Sequence, residues 1–258
     1  MIESSQNKII KEIKSLSEKK YRDRTNTFIA DGLRFVSEIP ESMKVEKMIF
    51  SDGFAAKNDI SRYMKRCECY VVSDRLFKEI SETENPQGIM AVCEKINFDA
   101  EEIIKDGGFY IIAEEMNDPG NLGTVIRTAY AAGADGIVLS KGSVDLYNQK
   151  VLRSTMGAVF KIPIIQNADL EYITSVMKSK NINVYAAHLK GNTYHYDLDL
   201  KGGCAFMLGN EARGLSDKAA KMCDRLVKIP MPGGAESLNA SVAAAVLIYE
   251  AVRQRHEF

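Results

Sequence analysis

Tryptophan is absent from this 258-residue chain, proline occurs six times, and the five cysteines are scattered without a CxxC pair. An odd, dispersed cysteine set excludes a disulfide framework, and three histidines are too few to complete a structural zinc site beside it. Cys67 and Cys69 stand close enough to share an ion, but the alternation in CECYVV reads better as a strand showing one face, so no metal is expected. Long hydrophobic runs are also missing. The longest, Val242 to Tyr249, has eight residues against the roughly 20 that a membrane helix needs, and the opening MIESSQNKII has no apolar signal core. The expectation is a cytoplasmic protein without a membrane partner. A net charge of −1 removes any whole-molecule electrostatic case for nucleic acid. Residues 1–24 nevertheless hold seven Lys or Arg against four Asp or Glu, and KKYRDR at 19–24 is either a phosphate-facing edge or a solvated helix face.

Four sharp chemical motifs are missing too. Neither G-x-G-x-x-G nor G-x-x-x-x-G-K-[ST] occurs, so dinucleotide and P-loop readings lose their best support. Without H-E-x-x-H or G-x-S-x-G, metalloprotease and nucleophile-elbow hydrolase chemistry fall as well.

What is present is an ordinary globular composition, 45% hydrophobic and 27% charged, with strands and helices alternating along the chain. Residues 1–96 read as a small α/β unit: TFIADG, KMIFS, CYVVS and GIMAVCEK are strand-like, and GLRFVSEI, FAAKNDISRYMKR and DRLFKEIS helical. The charged, glycine-ended stretch 97–108 is the linker candidate. A second unit, 109–258, alternates again: strand 109–115, helix from about Asn121, strand DGIVLS, helix from about Asp145, strand KIPII, helix 169–179, strands NVYAAH, CAFMLG and RLVKIP, and helix 239–254. That order predicts a mostly parallel sheet covered on both faces, with ligands at the carboxyl ends of its strands.

Three loops at such ends combine glycine with polar side chains: NDPGNLGTVIRTA (117–129), MLGNEARGLS (207–216) and IPMPGGAESLNAS (229–241). The last offers Ser237, Asn239 and Ser241 in front of the most apolar helix in the chain, where one capping side chain would do. Together the three loops resemble the motifs of the SpoU/TrmH family of S-adenosyl-L-methionine-dependent RNA ribose 2′-O-methyltransferases, in the family's order and spacing. NPQGIMAV at 85–92 and the opening SSQNKIIKEI look like the substrate-binding domain that precedes the catalytic one in many members.

The resemblance implies a fold: a C-terminal parallel-sheet α/β domain of the SPOUT type with a trefoil knot, preceded by a small α/β RNA-binding domain, in a homodimer whose sites lie close to the subunit interface. It implies a reaction: methyl transfer from S-adenosyl-L-methionine to a ribose hydroxyl, in 23S ribosomal RNA before transfer RNA. By the same resemblance Asn121, Arg127, Glu211, Ser237 and Asn239 carry the chemistry, and Leu208, Gly209, Ile229, Met231, Ser237, Leu238 and Asn239 hold the cofactor. Arginine does not ordinarily release a proton, so Arg127 is expected to hold a phosphate and stabilise the developing oxyanion.

Blander readings stand beside these roles. Asn121 also suits a helix cap, Glu211 the first turn of a helix, and Ser241 with one of Ser237 or Asn239 the cap of the last helix. Arg213 either touches RNA or answers Glu211. In VLRSTMGAVFKIPI, Arg153 and Ser154 are possible RNA or cofactor-side contacts, whereas Met156, Val159 and Phe160 read as packing. Outside the family, the alternatives are a non-catalytic RNA-binding protein of the same fold and a doubly wound enzyme acting on a nucleotide or small acid.

Overall fold

The computed structural model describes residues 1–255, so the last three residues of the range 109–258 lie outside it. The chain forms two compact units, one of Met1–Ile96 with Tyr147–Phe160 and one of Asn97–Leu146 with Lys161–Phe258.

In the first unit β1 (Thr27–Asp31), β2 (Val45–Ser51), β3 (Glu68–Val72) and β4 (Ile89–Glu94) form a mixed sheet in the order β1-β4-β2-β3. The amphipathic helix Lys8–Ser15 is capped by Asn7, and its Ile10 and Ile13 join Leu76, Phe77 and Met90 in the core. FAAKNDISRYMKR makes two short helices, Asp52–Lys57 and Ser61–Met64. KKYRDR lies in the helix Lys19–Thr25, where its central cation is structural: Arg22 is buried and donates to the carbonyls of Leu16 (2.7 Å) and Ser17 (2.6 Å). Lys19, Lys20 and Arg24 are exposed. The segment 147–160 is built into this unit through Tyr147 on Phe28 (4.5 Å), Gln149 Nε2 on the Ile29 carbonyl (2.7 Å) and Phe160 on Phe35 (4.9 Å). Its helix, Gln149–Thr155, starts at an Asn148 cap, later than the expected Asp145, and ends at a left-handed Met156. Met156 is therefore a corner residue, 41% exposed and not core, while Val159 is buried.

The second unit contains β5 (Phe109–Ala113), β6 (Gly136–Ser140), β7 (Ile164–Ala168), β8 (Ile182–Ala187), β9 (Thr193–Tyr194), β10 (Gly203–Leu208) and β11 (Arg225–Lys228). Every pairing in the order β7-β6-β5-β10-β8-β11-β9 is parallel. β5, β6 and β10 are buried throughout, as near-continuous apolar strands of a doubly covered parallel sheet must be. Two short elements carry no strong sequence period: β9 and the helix Asp217–Met222, capped by Ser216. Residues 97–108 hold a short helix, Ala100–Ile103, whose Ala100 and neighbouring Ile104 sit in this unit's core because the apolar residues of the stretch fall on one side.

The C-terminal helix Ala240–Arg255 packs on the helix Pro119–Ala131 and on β10. Ser241, Ala244, Leu247, Ile248 and Ala251 repeat at three- and four-residue intervals and form its buried face. Arg255 closes it by donating to the Leu200 carbonyl (2.8 Å) and lying over the Phe109 ring. No helix among the described residues is long and apolar enough to cross a membrane. Leu247 is fully buried, so Leu247→Ala should cost about 2–5 kcal/mol by lost burial and cavity formation, read as a lower urea midpoint at unchanged slope.

Candidate active site

β10, β8 and β11 are consecutive in the sheet, so the loops leaving their carboxyl ends converge. They enclose a cavity of about 510 Å³, within the size range of small-molecule sites, lined by Leu208, Gly209, Glu211, Ile229, Met231, Ser237, Leu238 and Asn239 together with Asn121. Every residue expected to hold the cofactor is thus on this wall, and so are four of the five expected to carry the chemistry. Arg127 is not. It lies on the exposed side of the helix Pro119–Ala131, roughly 120° around the axis from Asn121, and makes no hydrogen bond or ion pair among the described residues.

The polar side of the cavity is one hydrogen-bond chain. Asn239 Oδ1 accepts from the Ser241 amide (2.9 Å) and hydroxyl (2.7 Å), and more weakly from the Val242 amide (3.4 Å), which makes Asn239 the cap of the C-terminal helix. Its Nδ2 donates to Asn121 Oδ1 at 2.9 Å. Asn121 Nδ2 in turn donates to Glu211 Oε1 at 3.1 Å. The Glu211 carboxylate also accepts the backbone N–H groups of Asn117 and Asp118, both at 3.1 Å. Side chains from all three glycine-rich loops therefore form one connected network.

Two of the simpler readings fail here. Asn121 does not cap its helix, which begins two residues earlier at Pro119 with Asp118 accepting the Asn121 amide (2.7 Å). Glu211 is not in a helix either; it sits in a turn closed by the Asn210–Gly214 bridge. Burial alone would raise its pKa, but the donors from its own turn, Asn117, Asn121 and Asp118 outweigh that and hold it below the usual 4.5. Ser237 is exposed on the cavity rim.

Glycine is required at position 209 by close approach: a Cβ there would lie 2.2 Å from the Gly214 carbonyl carbon and the Leu215 nitrogen. The turn 210–216 is pinned from β5's end. Glu114 accepts the Ser216 amide (2.8 Å) and hydroxyl (2.6 Å), the Glu115 carbonyl accepts Asn210 Nδ2 (2.8 Å), and the Glu115 carboxylate pairs with Arg213 (2.5 Å). Arg213 thus answers Glu115 and not Glu211.

Sequence reasoning missed the wall made by Ala187 at the end of β8, His188 and Leu189 after it, and Val227 and Lys228 in β11. They carry no motif; only their place at the ends of strands beside β10 marks them. Arg153 and Ser154 belong to the first unit and do not line this cavity. Among the described residues no group of three or more His, Cys, Asp or Glu side chains could hold a metal.

The network is linked to pH through Glu211. Its lowered pKa means that its contribution to stability is present above the unfolded carboxyl's range and is lost as pH falls through the depressed folded value. Glu211→Gln should therefore be less stable than the native protein at pH 7, and the difference in urea unfolding should close as pH falls below the usual 4.5. A difference independent of pH would show that the charge is not what holds the loop.

Residues 108–249 match the SpoU rRNA Methylase family, and residues 7–91 match the MRM3-like substrate binding domain. The chain is 36% identical over 249 residues to the Bacillus subtilis 23S rRNA (guanosine(2553)-2′-O)-methyltransferase RlmP, covering 96% of this chain and 97% of that protein. It is 29% identical to the 23S rRNA (uridine(2479)-2′-O)-methyltransferase of Streptomyces viridochromogenes, over 93% of this chain and 87% of that one. Among solved structures, the AdoMet-bound rRNA methyltransferase from Sinorhizobium meliloti superposes with a TM-score of 0.90 at 31% identity, covering 99% and 98% of the two chains. With its parallel sheet, its cavity at the strand ends and a family match over more than half its length, the chain belongs to the SpoU rRNA methylase family.

Proposed function

We propose that the protein methylates a ribose 2′-hydroxyl of 23S ribosomal RNA, using S-adenosyl-L-methionine held in the cavity at the ends of β8, β10 and β11. The observation that carries this reading is the Asn239–Asn121–Glu211 chain, which makes one site of three loops that are far apart in sequence. The residues present suit the cofactor. Leu208, Ile229, Met231, Leu238 and Ala243 offer apolar walls for an adenine, and a side chain at Gly209 would collide with the turn that closes one side. Bound there, the cofactor supplies an electrophilic methyl group, so no metal and no covalent enzyme intermediate are called for.

The chain's own residues do the positioning. Glu211 fixes Asn121, Asn121 fixes Asn239, and Asn239 sets the start of the C-terminal helix beside the exposed Ser237 hydroxyl. Arg127, exposed and outside its own chain's cavity, is the guanidinium that holds a substrate phosphate; it stabilises the oxyanion by reaching the cavity of a second copy. Residues 1–96 serve as the RNA substrate-binding domain ahead of the methyltransferase domain 109–258, with 97–108 between them. Similarity along the whole chain to enzymes named for 23S rRNA, N-terminal unit included, favours ribosomal over transfer RNA.

A homodimer in the cytoplasm completes the proposal. Val242 and Tyr249 on the C-terminal helix and Tyr130 on the helix beside it are about half exposed, and Arg127 is exposed on that second helix. A second copy covering these residues would remove the apolar ones from water.

Incubation with methyl-labelled S-adenosyl-L-methionine and separate unmodified rRNA and tRNA pools should place label in 23S rRNA, in one alkali-resistant linkage. Label on a base, or in tRNA alone, would overturn the substrate assignment. Arg127→Ala should lower kcat by about 10²–10³-fold while leaving cofactor affinity by calorimetry unchanged. Val242→Glu combined with Tyr249→Glu should give a monomer by light scattering at native helix content.

A further inference from the structure

The tract GNTYHYDLDLKG, between β8 and β10, carries no family motif, yet it builds an exposed aromatic step at the edge of the catalytic sheet. β9 pairs with β11 in a register that sets Tyr194 beside Lys228, and β9 is the last strand of the sheet. The short 3-10 turn His195–Asp197 then returns the chain so that the Tyr194 and Tyr196 rings stack, with centroids 5.3 Å apart and planes 15° from parallel. His195 packs edge-on against Tyr196 at 5.0 Å and fixes the ring from the side. Lys228 Nζ lies 4.7 Å from the centre of the Tyr194 ring and has no carboxylate partner among the described residues. Tyr196 is nonetheless 48% exposed.

Packing does not account for this arrangement. Neither tyrosine is among the buried residues of the second unit's core, and neither phenol has a hydrogen-bond partner among the described residues. Two near-parallel rings beside an unpaired cation are, however, the elements that hold unpaired nucleotides: a flat π-face for the base and a positive group for the phosphate. The location fits as well. Lys228 belongs both to the step and to the wall of the cavity, and Leu189, 65% exposed, extends that wall outward.

We propose that Tyr194, Tyr196 and Lys228 form a stacking subsite for an unpaired nucleotide adjoining the ribose that is methylated, with its base on the open face of Tyr196 and its phosphate toward Lys228. Asp197 follows Tyr196 in the turn and is exposed, so the Tyr196 end takes an uncharged base face and the phosphate belongs at the Lys228 end. Because stacking reads no hydrogen-bond pattern, the subsite contributes affinity and register for single-stranded RNA and little base preference.

This inference rests on the RNA methyltransferase reading, and its test separates the two. With the full-length protein and unmodified 23S rRNA transcript, the Tyr194→Ala, Tyr196→Ala double variant should raise the RNA KM about 5- to 150-fold, the range for loss of one stacked base. The kcat at saturating RNA and the S-adenosyl-L-methionine Kd should stay within about twofold. Phenylalanine at both positions should restore the KM, and the single variant Tyr196→Ala, which alters only the exposed ring, should give part of the loss at unchanged thermal stability. Native protein should photocrosslink to 5-iodouridine in single-stranded RNA at Tyr196. An unchanged KM in the double variant, or a raised KM that follows dissociation into monomers by light scattering, would overturn the subsite; the second result would mark the step as a face between copies. If the native protein neither binds S-adenosyl-L-methionine nor methylates RNA, the functional reading itself fails.

Discussion

The side chain of Asn239 makes two commitments at once, and the site depends on both. One end of its amide caps the C-terminal helix; the other donates to Asn121 and through it reaches Glu211. An amide is the side chain suited to this, since it presents an acceptor to the helix N–H groups and a donor to a second partner. Serine or aspartate at 239 could cap about as well, but an ionised aspartate has no donor left for Asn121. The surplus of polar residues ahead of the last helix is thus divided by role: Asn239 caps and connects, Ser241 is held by it, and Ser237 stays free on the cavity rim.

The network holds only because the parallel sheet delivers its members to one place. Adjacent parallel strands release their chains at the same edge, and the order β5-β10-β8-β11 brings there loops that leave near residues 114, 188, 209 and 229. The turn after β10 is held at several points. Gly209 admits no side chain, Asn210 and Gly214 bridge, and Glu114 and Glu115 hold it from the neighbouring strand. A turn held at so many points has little conformational freedom left to lose.

Much of this was legible in the chain itself. Continuous apolar strands such as FYIIA and CAFML, separated by amphipathic helices, imply a doubly covered parallel sheet, and the three glycine-containing loops mark where its ligand edge lies. The seven residues expected to hold the cofactor all line the cavity, whereas Val227 and Lys228, which lie between them in sequence, carry no motif. Local chemistry misled where two explanations share one residue type. Asn121 has a cap's side chain but Asp118 does the capping, and of the cations in KKYRDR Arg22 is spent inside on two carbonyls while Lys19, Lys20 and Arg24 stay exposed.

The amino-acid sequence by itself determined the class of fold, the family and the three loops that meet at the cavity, because these follow from periodicity and from motifs only a few residues long. Only the tertiary structure decided that residues 147–160 pack with the first unit, that the unmotifed ends of β8 and β11 complete the cavity, that Arg127 faces away from it, and that Tyr194 and Tyr196 stack beside Lys228. Each of these is a relation between segments far apart in the chain. Strand order and helix facing set such relations, and nothing in the local pattern of any one segment encodes its neighbour in the sheet.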